Sequence, residues 1–489
     1  MAYLGSDSHI SLQTCYTPVV DLKHEQSYLI EKGGNSSTYT PTVTTNYSNS
    51  NIAFNYNNNN TNTIVSPYLM VRVTFLISLT GTITTGSPNL FVPNTGLFAL
   101  RSWPINQCIQ AANLQLSNET FTSYPSQIIS ALQHSYLTNP HTNIFQSSLP
   151  SLQDNSQAYS DGFGANTNPL NHWASSTYYQ QGRGAFPYTV LTNTATTATI
   201  SVTITEPVLL SPMAMEDTKG WIGLNALNLT LQLGQLNRIF SYDATNGNTI
   251  TTAVTTISAP PVLLVRSLVP DQLYVLPKEV KYGYQETQVF QTPVGSAVLT
   301  GATFVATSNN ITLSAIPSRI FVYARRSDSV LQGTTGYQYS DAFAELTNIQ
   351  ILFNNVSGLL SSAYEEDLWR LSVKNGLQSS WPDWKGRGAS GGGFSKTQLG
   401  SVLIIDPVDD FGMPSGQSSG LAGVQVNLQV TATMVNPSAS TVDYTLFVVL
   451  VNDNVLTLSV NNAYKQQGVL STKDILDAAI LLHPEYKIA

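Results

Sequence analysis

The sequence predicts an all-β protein made of two similar domains in tandem, with short helices in the loops. Three observations lead to this prediction. The apolar residues alternate with polar ones over most of the chain. The segment ITEPV at 204–208 returns 200 positions later as IIDPV at 404–408. Sixteen residues after the proline of each copy, Gly223 and Gly423 come before another alternating segment. This spacing is too long for a solenoid repeat, so it indicates one domain used twice.

The strand prediction depends on residue type as well as on period. Segments rich in Val, Ile, Thr, Tyr and Phe are bounded by Gly, Pro, Asn and Ser, which is typical of sandwich strands. The clearest predicted strands lie at 71–84, 197–210, 311–324, 424–435 and 441–452. Because these strands do not alternate with long helical segments, the pattern argues against a parallel α/β sheet.

A short helix is predicted at the same place in each half. An Asn-x-Gln-x strand at 113–116 and another at 348–351 each precede a helical pattern. In the first half Pro125 stands near the helix start, where its missing N–H costs nothing. In the second half a capping box begins at Ser362. Gly376 is the expected residue just beyond the end of that helix.

The length of 489 residues favours at least two domains. We predict an N-terminal arm at 1–25, a first domain at 26–265 and a second at 266–489. The first half takes more residues than the second between its Asn-x-Gln-x strand and its Pro-Val segment. The excess falls at 137–190, where turn formers and aromatic residues show little periodicity. This insertion is therefore predicted to be a long surface loop.

The chain carries few charges. Charged residues make up 10% of the sequence, against about 25% in ordinary soluble proteins, and Ser, Thr and Asn take their place. An uncharged polar surface suits close packing against copies of the same chain, because few charges must lose their water. An AT-rich genome, which favours Asn, explains the composition equally well. The net charge of −8 and the absence of a basic arm argue against direct nucleic-acid binding.

The cysteines and the N-terminus indicate where the chain folds. Cys15 and Cys108 are too few for a disulfide framework, which suggests a reducing compartment. The N-terminal segment lacks the basic and apolar regions of a signal peptide. The most apolar stretch, 68–79, is interrupted by Arg72 and is too short to span a bilayer as a helix.

No motif predicts catalysis, and we expect neither a catalytic residue, nor a cofactor, nor a metal. The GxGxxG match at 386–391 lacks the strand and helix that a dinucleotide site requires. The GxSxG match at 416–420 leads into a strand, whereas a nucleophile elbow leads into a helix. The histidines do not show the spacing of a zinc site. They are His9, His24, His134, His141, His172 and His483.

Several segments, taken in order, resemble one protein family. In the first half these are RSWPINQCI at 101–109, LQLSNETFTSYPSQIISAL at 114–132 and GWIGLNALNLTLQLGQLNRIFSY at 220–242. In the second half the stretches from 308 to 326, from 346 to 376 and from 400 to 412 continue the match. Together they resemble the double jelly-roll major capsid proteins of virophages, polinton-like viruses and adintoviruses. The first sixty residues and the insertion match nothing we can name.

The resemblance implies two tandem eight-stranded jelly rolls and a homotrimer with a pseudo-hexagonal outline that tiles the icosahedral shell of a DNA virus. It implies location in the virion after synthesis in the host cytoplasm, with the insertion on the outer face. The implied partners are other capsomers, a penton protein, minor capsid proteins, and an internal membrane or the host-cell surface. Residues expected to support folding or assembly are Trp103, Pro104, Pro125, Pro207, Gly223, Pro407, Gly423 and Trp369.

Two other functions stay open at this point. A tandem β-sandwich lectin or adhesin would bind sugar through exposed aromatic residues such as Trp173, Tyr178 and Tyr179. The missing signal peptide argues against it. A β-sandwich glycoside hydrolase would need two carboxylates about 5–10 Å apart in a groove. The sequence does not point to such a pair.

Overall fold

The structure is a computed structural model in which residues 37–467 are described with gaps. The residues within this range that are not described are 45, 59–62, 68, 84–88, 92–97, 102, 133–134, 136–187, 211–219, 243–247, 270–277, 386–387, 391–392, 396–399, 413–420, 439 and 461. The described part is mostly β-strand, and its longest helix has ten residues. None of its helices is long and apolar enough to cross a membrane. The all-β prediction is therefore confirmed.

The first half forms two antiparallel sheets. Its strands are β1 (Ser37–Val43), β2 (Asn46–Tyr47), β3 (Asn51–Asn57), β4 (Ile64–Val65), β5 (Met70–Ile83), β6 (Phe98–Leu100), β7 (Ile109–Leu116), β8 (Glu119–Ser123), β9 (Tyr188–Asn193), β10 (Thr197–Pro207), β11 (Trp221–Ile222), β12 (Ala226–Leu233), β13 (Phe240–Tyr242), β14 (Asn248–Ile257) and β15 (Val262–Leu268). One sheet has the order β11-β4-β15-β5-β10-β9, with β1 on β15 and β14 on β5. The other has the order β2-β3-β12-β7-β8, and β6 pairs separately with β13.

The second half repeats this plan. Its strands are β16 (Glu279–Pro293), β17 (Thr303–Thr307), β18 (Ile311–Ala315), β19 (Arg319–Arg326), β20 (Glu345–Phe353), β21 (Val356–Leu359), β22 (Gly388–Ser390), β23 (Gly393–Ser395), β24 (Leu403–Ile405), β25 (Leu421–Val435), β26 (Tyr444–Ser459) and β27 (Asn462–Gln467). One sheet has the order β16-β26-β19-β24, with β27 on β26. The other has the order β17-β25-β20-β21, with β18 on β25.

The predicted duplication is confirmed by the strand order. In the first half β5 has β10 on one side and both β14 and β15 on the other. In the second half β19 lies between β24 and β26. Likewise β12 is flanked by β3 and β7, as β25 is by β17 and β20. Both halves therefore place equivalent strands in equivalent positions, although few residues match between them.

The core of each half lies between its two sheets. Strand β5 buries alternate residues, including Val73, Phe75 and Ile77, and β12 does the same with Leu229 and Leu231. These side chains belong to one apolar cluster. A two-residue period with one face buried is what two stacked sheets require.

The helices are α1 (Pro104–Cys108), α2 (Pro125–Leu132), α3 (Asp328–Leu331), α4 (Glu365–Lys374), α5 (Trp381–Lys385) and α6 (Pro407–Asp410). Helix α2 begins at Pro125, as predicted. Helix α4 begins at Glu365, so the predicted capping box at Ser362 is wrong. Asp367 instead accepts a hydrogen bond from the backbone N–H of Tyr364 at 3.2 Å. Gly376 has φ +108° and ends α4 as predicted.

The repeated proline and the repeated glycine do not play equivalent roles in the two halves. Pro207 is the last residue of β10, whereas Pro407 is the first residue of α6. Gly223 precedes β12 with φ +77°, whereas Gly423 lies inside β25. The prediction that both glycines open a strand is therefore wrong for Gly423. The sequence motif is repeated, but β24 has only three residues and the chain turns into a helix directly after it.

One predicted strand and one predicted domain boundary do not coincide with the observed strands. The predicted strand at 311–324 is two strands, because Pro317 falls between β18 and β19 and a proline cannot donate to a sheet ladder. The predicted domain boundary at 265/266 cuts β15, which pairs with β5 from Val262 to Leu264 and with β1 as far as Leu268. We therefore propose a division after Leu268. The predicted arm at 1–25 and nearly all of the insertion at 137–190 lie outside the described residues.

Candidate functional site: the junction between the two halves

The two halves share their apolar cores. Helix α2 belongs to the first half, but its Ile128, Ala131 and Leu132 pack into the apolar cluster of the second half. In the reverse direction, Tyr282 and Leu456 of the second half join the cluster of the first half. Each half therefore completes the core of the other. A contact of this kind fixes their relative orientation, because packed interiors do not deform continuously.

An ion cluster lies inside this junction. Asp341 of the second half pairs with Arg238 of the first half at 2.6 Å and lies 3.9 Å from Arg101. All three side chains are buried. Burial alone would raise the pKa of Asp341, but the guanidinium groups of Arg238, Arg101 and Arg325 hold this pKa below its usual range. The carboxylate is therefore ionised and compensates buried positive charge at the junction.

The same two arginines also bind backbone oxygens across the junction. Arg238 donates to the carbonyl oxygens of Gly336 and Tyr339 at 3.1 and 2.8 Å. Arg101 donates to the same two oxygens at 3.1 and 2.6 Å. Two guanidinium groups from the first half thus hold one turn of the second half. Such planar, multiple donation restrains orientation better than a single contact would.

A second set of contacts joins strand β19 to helix α2. The Tyr323 hydroxyl donates to the carbonyl oxygen of Gln127 at 2.7 Å, and Arg325 donates to that of Ser126 at 3.3 Å. Arg325 also pairs with Asp328 at 2.7 Å. Its guanidinium carbon lies 4.7 Å from the ring centre of Phe447. Buried side chains of β19 therefore hold the first turn of a helix from the other half.

Helix α1 brings a buried carboxylate close to the junction. Glu206 of β10 accepts hydrogen bonds from the backbone N–H groups of Ile105 and Asn106 at 2.9 and 3.1 Å, and another from the Asn106 side chain. Burial raises the pKa of Glu206 to about 7, although these hydrogen bonds oppose the shift. Glu206 is not among the residues predicted from the sequence to support folding or assembly. Its position one residue before the repeated proline was the available signal.

The sequence-predicted assembly residues lie in several places. Trp103, with φ 50°, is buried against Ile129 and precedes Pro104, the first residue of α1. Gly223 is buried where an added Cβ would lie 3.4 Å from the backbone nitrogen of Val460 in the second half. Trp369 packs against Trp381 in the second half alone.

The candidate residues for metal or sugar binding lie mostly outside the described part of the chain. No group of three or more His, Cys, Asp or Glu residues there could hold a metal ion. The six histidines lie outside the described residues, as do Trp173, Tyr178, Tyr179 and the GxSxG segment. Strand β25 follows that segment directly. Cys108 is buried, and burial raises the pKa of its thiol to about 12.

Known proteins match this chain over both halves. Residues 14–268 match the family model of the first domain of the Sputnik virophage major capsid protein. Residues 286–454 match the model of the C-terminal domain of major capsid protein V20. Capsid protein V20 of Sputnik virophage is 28% identical over 482 residues, which cover 95% of this chain and 80% of that protein.

Solved structures give the same result. The cryo-EM structure of Sputnik virophage matches with a TM-score of 0.79 at 26% identity, over 94% of both chains. The crystal structure of the mavirus major capsid protein matches with a TM-score of 0.71 over 96% of both chains. At 17% identity the mavirus match concerns the fold alone. With one family model covering more than half of its length, this chain belongs to the virophage major capsid protein family, has the double jelly-roll fold and is a capsid protein.

Proposed function

We propose that three copies of this chain form a capsomer of pseudo-hexagonal outline, and that such capsomers tile an icosahedral shell. The observation that carries this proposal is the junction, where helix α2 of the first half packs on β19 of the second. The two halves present different surfaces to each other, so the contact is heterologous. Because each half contains the equivalent helix and the equivalent sheet, the same kind of contact can form again between copies.

Repetition of a heterologous contact gives a ring if the rotation closes and a filament if it does not. Three chains provide six similar domains, which suits a six-sided outline. The buried ions of the junction support a rigid pair of domains, since Arg101, Arg238 and Asp341 leave little freedom between the halves. Contacts between copies are expected to be obligate and to bury about 2,000–5,000 Å².

The test is the native mass of the purified protein, with negative-stain images of the same sample. A trimer has three times the 53.0 kDa of one chain, about 159 kDa. We expect this mass and particles with a hexagonal outline. A stable monomer would contradict the proposal, and sugar binding by that monomer on a glycan array would favour the lectin alternative.

Further partners follow from the same proposal. A shell of such capsomers needs a penton protein at its five-fold vertices and minor proteins between capsomers. The net charge of −8 disfavours direct contact with DNA, so an internal membrane or a minor protein would separate this chain from the genome. The chain would be made in the host cytoplasm, would not act as an enzyme, and would meet the host-cell surface in the finished virion.

A further inference from the structure

One face of the larger sheet of the first half carries few charges where β5, β10 and β14 meet, and it is partly open to solvent. We call it the threonine face. It includes Thr74, Leu76, Ser78, Thr80, Thr199, Ser201, Thr203, Thr205, Thr252, Val254 and Thr256, which point outward from β5, β10 and β14. Arg72 lies on the same side near the start of β5 and donates a hydrogen bond to the hydroxyl oxygen of Thr205 at 3.1 Å. In the register, Ser78 lies opposite both Thr199 and Val254. The side chain of Val254, in β14 beside β5, is 56% exposed.

The equivalent face of the second half is covered. Tyr444 stacks on Phe304 of the opposite sheet, so its side chain points inward. In the register of β19 and β26, Val322 lies on the same face as Tyr444, because residues directly opposite each other and residues two apart point the same way. Tyr323 and Arg325 therefore point outward. Both are nonetheless buried, since helix α2 of the first half packs on them.

Helix α4 is the counterpart of α2 in the second half. Each helix follows a two-residue hairpin, and each has a tyrosine just before its first residue, Tyr124 and Tyr364. Helix α2 packs Ile129 on its own half and the opposite side on the other half. Helix α4 buries Leu368 within its own half, which leaves its other side open.

The open side of α4 carries a short stripe of exposed residues. Tyr364 is 79% exposed and Val373 is 40% exposed. Between them Arg370 pairs with Glu366 at 2.7 Å and with Asp367 at 4.0 Å, so the charges of the stripe largely compensate one another. Because its arginine is paired with carboxylates, such a stripe can pack on a face of few charges without burying an unpaired cation.

We propose that α4 of a second copy packs on the threonine face, centred on Leu76 and Val254. This contact would reproduce between copies the packing of α2 on β19 within one chain. The proposal names the occupant of the surface and rests on the proposed self-assembly. It also accounts for the exposed valines on both partners, because each would be covered by the other.

Single substitutions that introduce a positive charge test the contact. Val254→Arg and Val373→Arg should each abolish the assembly seen for the unchanged protein and leave a folded monomer. Val305→Arg is the matched control, because Val305 is also a strand residue and is 59% exposed. It should assemble normally. Circular dichroism and thermal melting would verify that each variant is folded. Normal assembly of both Val254→Arg and Val373→Arg would overturn the proposal.

Cross-linking tests the identity of the two partners. In a Cys15→Ser background, Val254→Cys and Val373→Cys together should give disulfide-linked copies on mild oxidation, and each alone should not. Linkage through Val254→Cys alone would mean that the threonine face meets itself, which overturns the proposal. The same holds if the double variant assembles without linkage. If the unchanged protein is a monomer, the proposed function itself fails, which is a different result.

Discussion

At the scale of single residues, the junction depends on buried charges that balance one another. Asp341 is the carboxylate that faces both Arg238 and Arg101. Burying two guanidinium groups is costly unless they are paired and hydrogen-bonded. The cluster is therefore sensitive to the loss of Asp341, while exposed ion pairs elsewhere contribute little.

Replacing Asp341 should destabilise the protein strongly. Asp341→Asn removes the buried carboxylate that Arg238 and Arg101 both face, so the free energy of unfolding should fall by about 3–5 kcal/mol. Urea unfolding of the purified protein measures this change. Asp409→Asn is the control, because Asp409 pairs with Lys374 at 3.5 Å with both side chains exposed. A similar loss in both variants would contradict the special role of the cluster.

Glu206 should make stability depend on pH. Its folded pKa of about 7 lies above the ordinary value of 4.5, because burial disfavours the charged form. The folded state therefore binds more protons than the unfolded state between these values, and stability falls as pH rises from about 4.5 to about 7. The whole effect is on the order of 3 kcal/mol.

The pH profile of unfolding checks this. Glu206→Gln should remove this part of the decline, whereas Glu366→Gln, on the exposed side of α4, should keep it. Glu366 is suitable because its side chain is 55% exposed. If Glu206→Gln declines with pH as steeply as the unchanged protein, the buried carboxylate is not the cause.

At the scale of elements, helix α2 is the part of the first half that packs into the core of the second half. It is eight residues long, so it would be marginal alone in water and owes its stability to packing. Its two sides have different partners, with Ile129 packed on Trp103 and Ile128 in the core of the second half. This helix therefore links the two domains mechanically.

Truncation of Ile128 should loosen that link. Ile128→Ala creates a cavity at the junction, and the free energy of unfolding should fall by about 2–5 kcal/mol. Calorimetry should also show the two halves unfolding less cooperatively. Leu191→Ala is the control, because Leu191 in β9 is 57% exposed. Equal melting temperatures for Ile128→Ala and the unchanged protein would argue against a stabilising contact between Ile128 and the core of the second half.

At the scale of the whole molecule, two similar domains are held in one orientation and carry few charges. Low surface charge favours contacts between copies, since little desolvation opposes them. The inserted segment between α2 and β9 lies outside the described residues, and the predicted loop there remains a prediction.

Deleting residues 145–185 tests that prediction. The shortened chain should fold and assemble normally, because loop closure depends only weakly on loop length. Native mass and soluble yield measure the result. Deletion of 125–132, which removes α2, should abolish soluble assembly and serves as the contrasting variant. Loss of soluble protein after the first deletion would mean that the insertion is not a surface loop.

The sequence by itself determined the fold class, the duplication and the position of both helices that follow the Asn-x-Gln-x strands. These features depend on local periodicity and turn residues, which the chain carries in every segment. The resemblance of several segments to one protein family also predicted a capsid protein. The start of α4 was missed because a cap depends on backbone geometry, and Tyr364 has no capping side chain of the usual kind.

Only the tertiary structure decided which residues join the two halves. Asp341 meets Arg101 and Arg238 although more than a hundred residues separate it from either. Each of these side chains would ordinarily be expected on a solvated surface. The structure likewise decided that Glu206 is buried and that Pro207 and Pro407 play different roles. Pairing between distant charges leaves no periodic signal, so it follows from the packing of the two sandwiches and not from any local pattern.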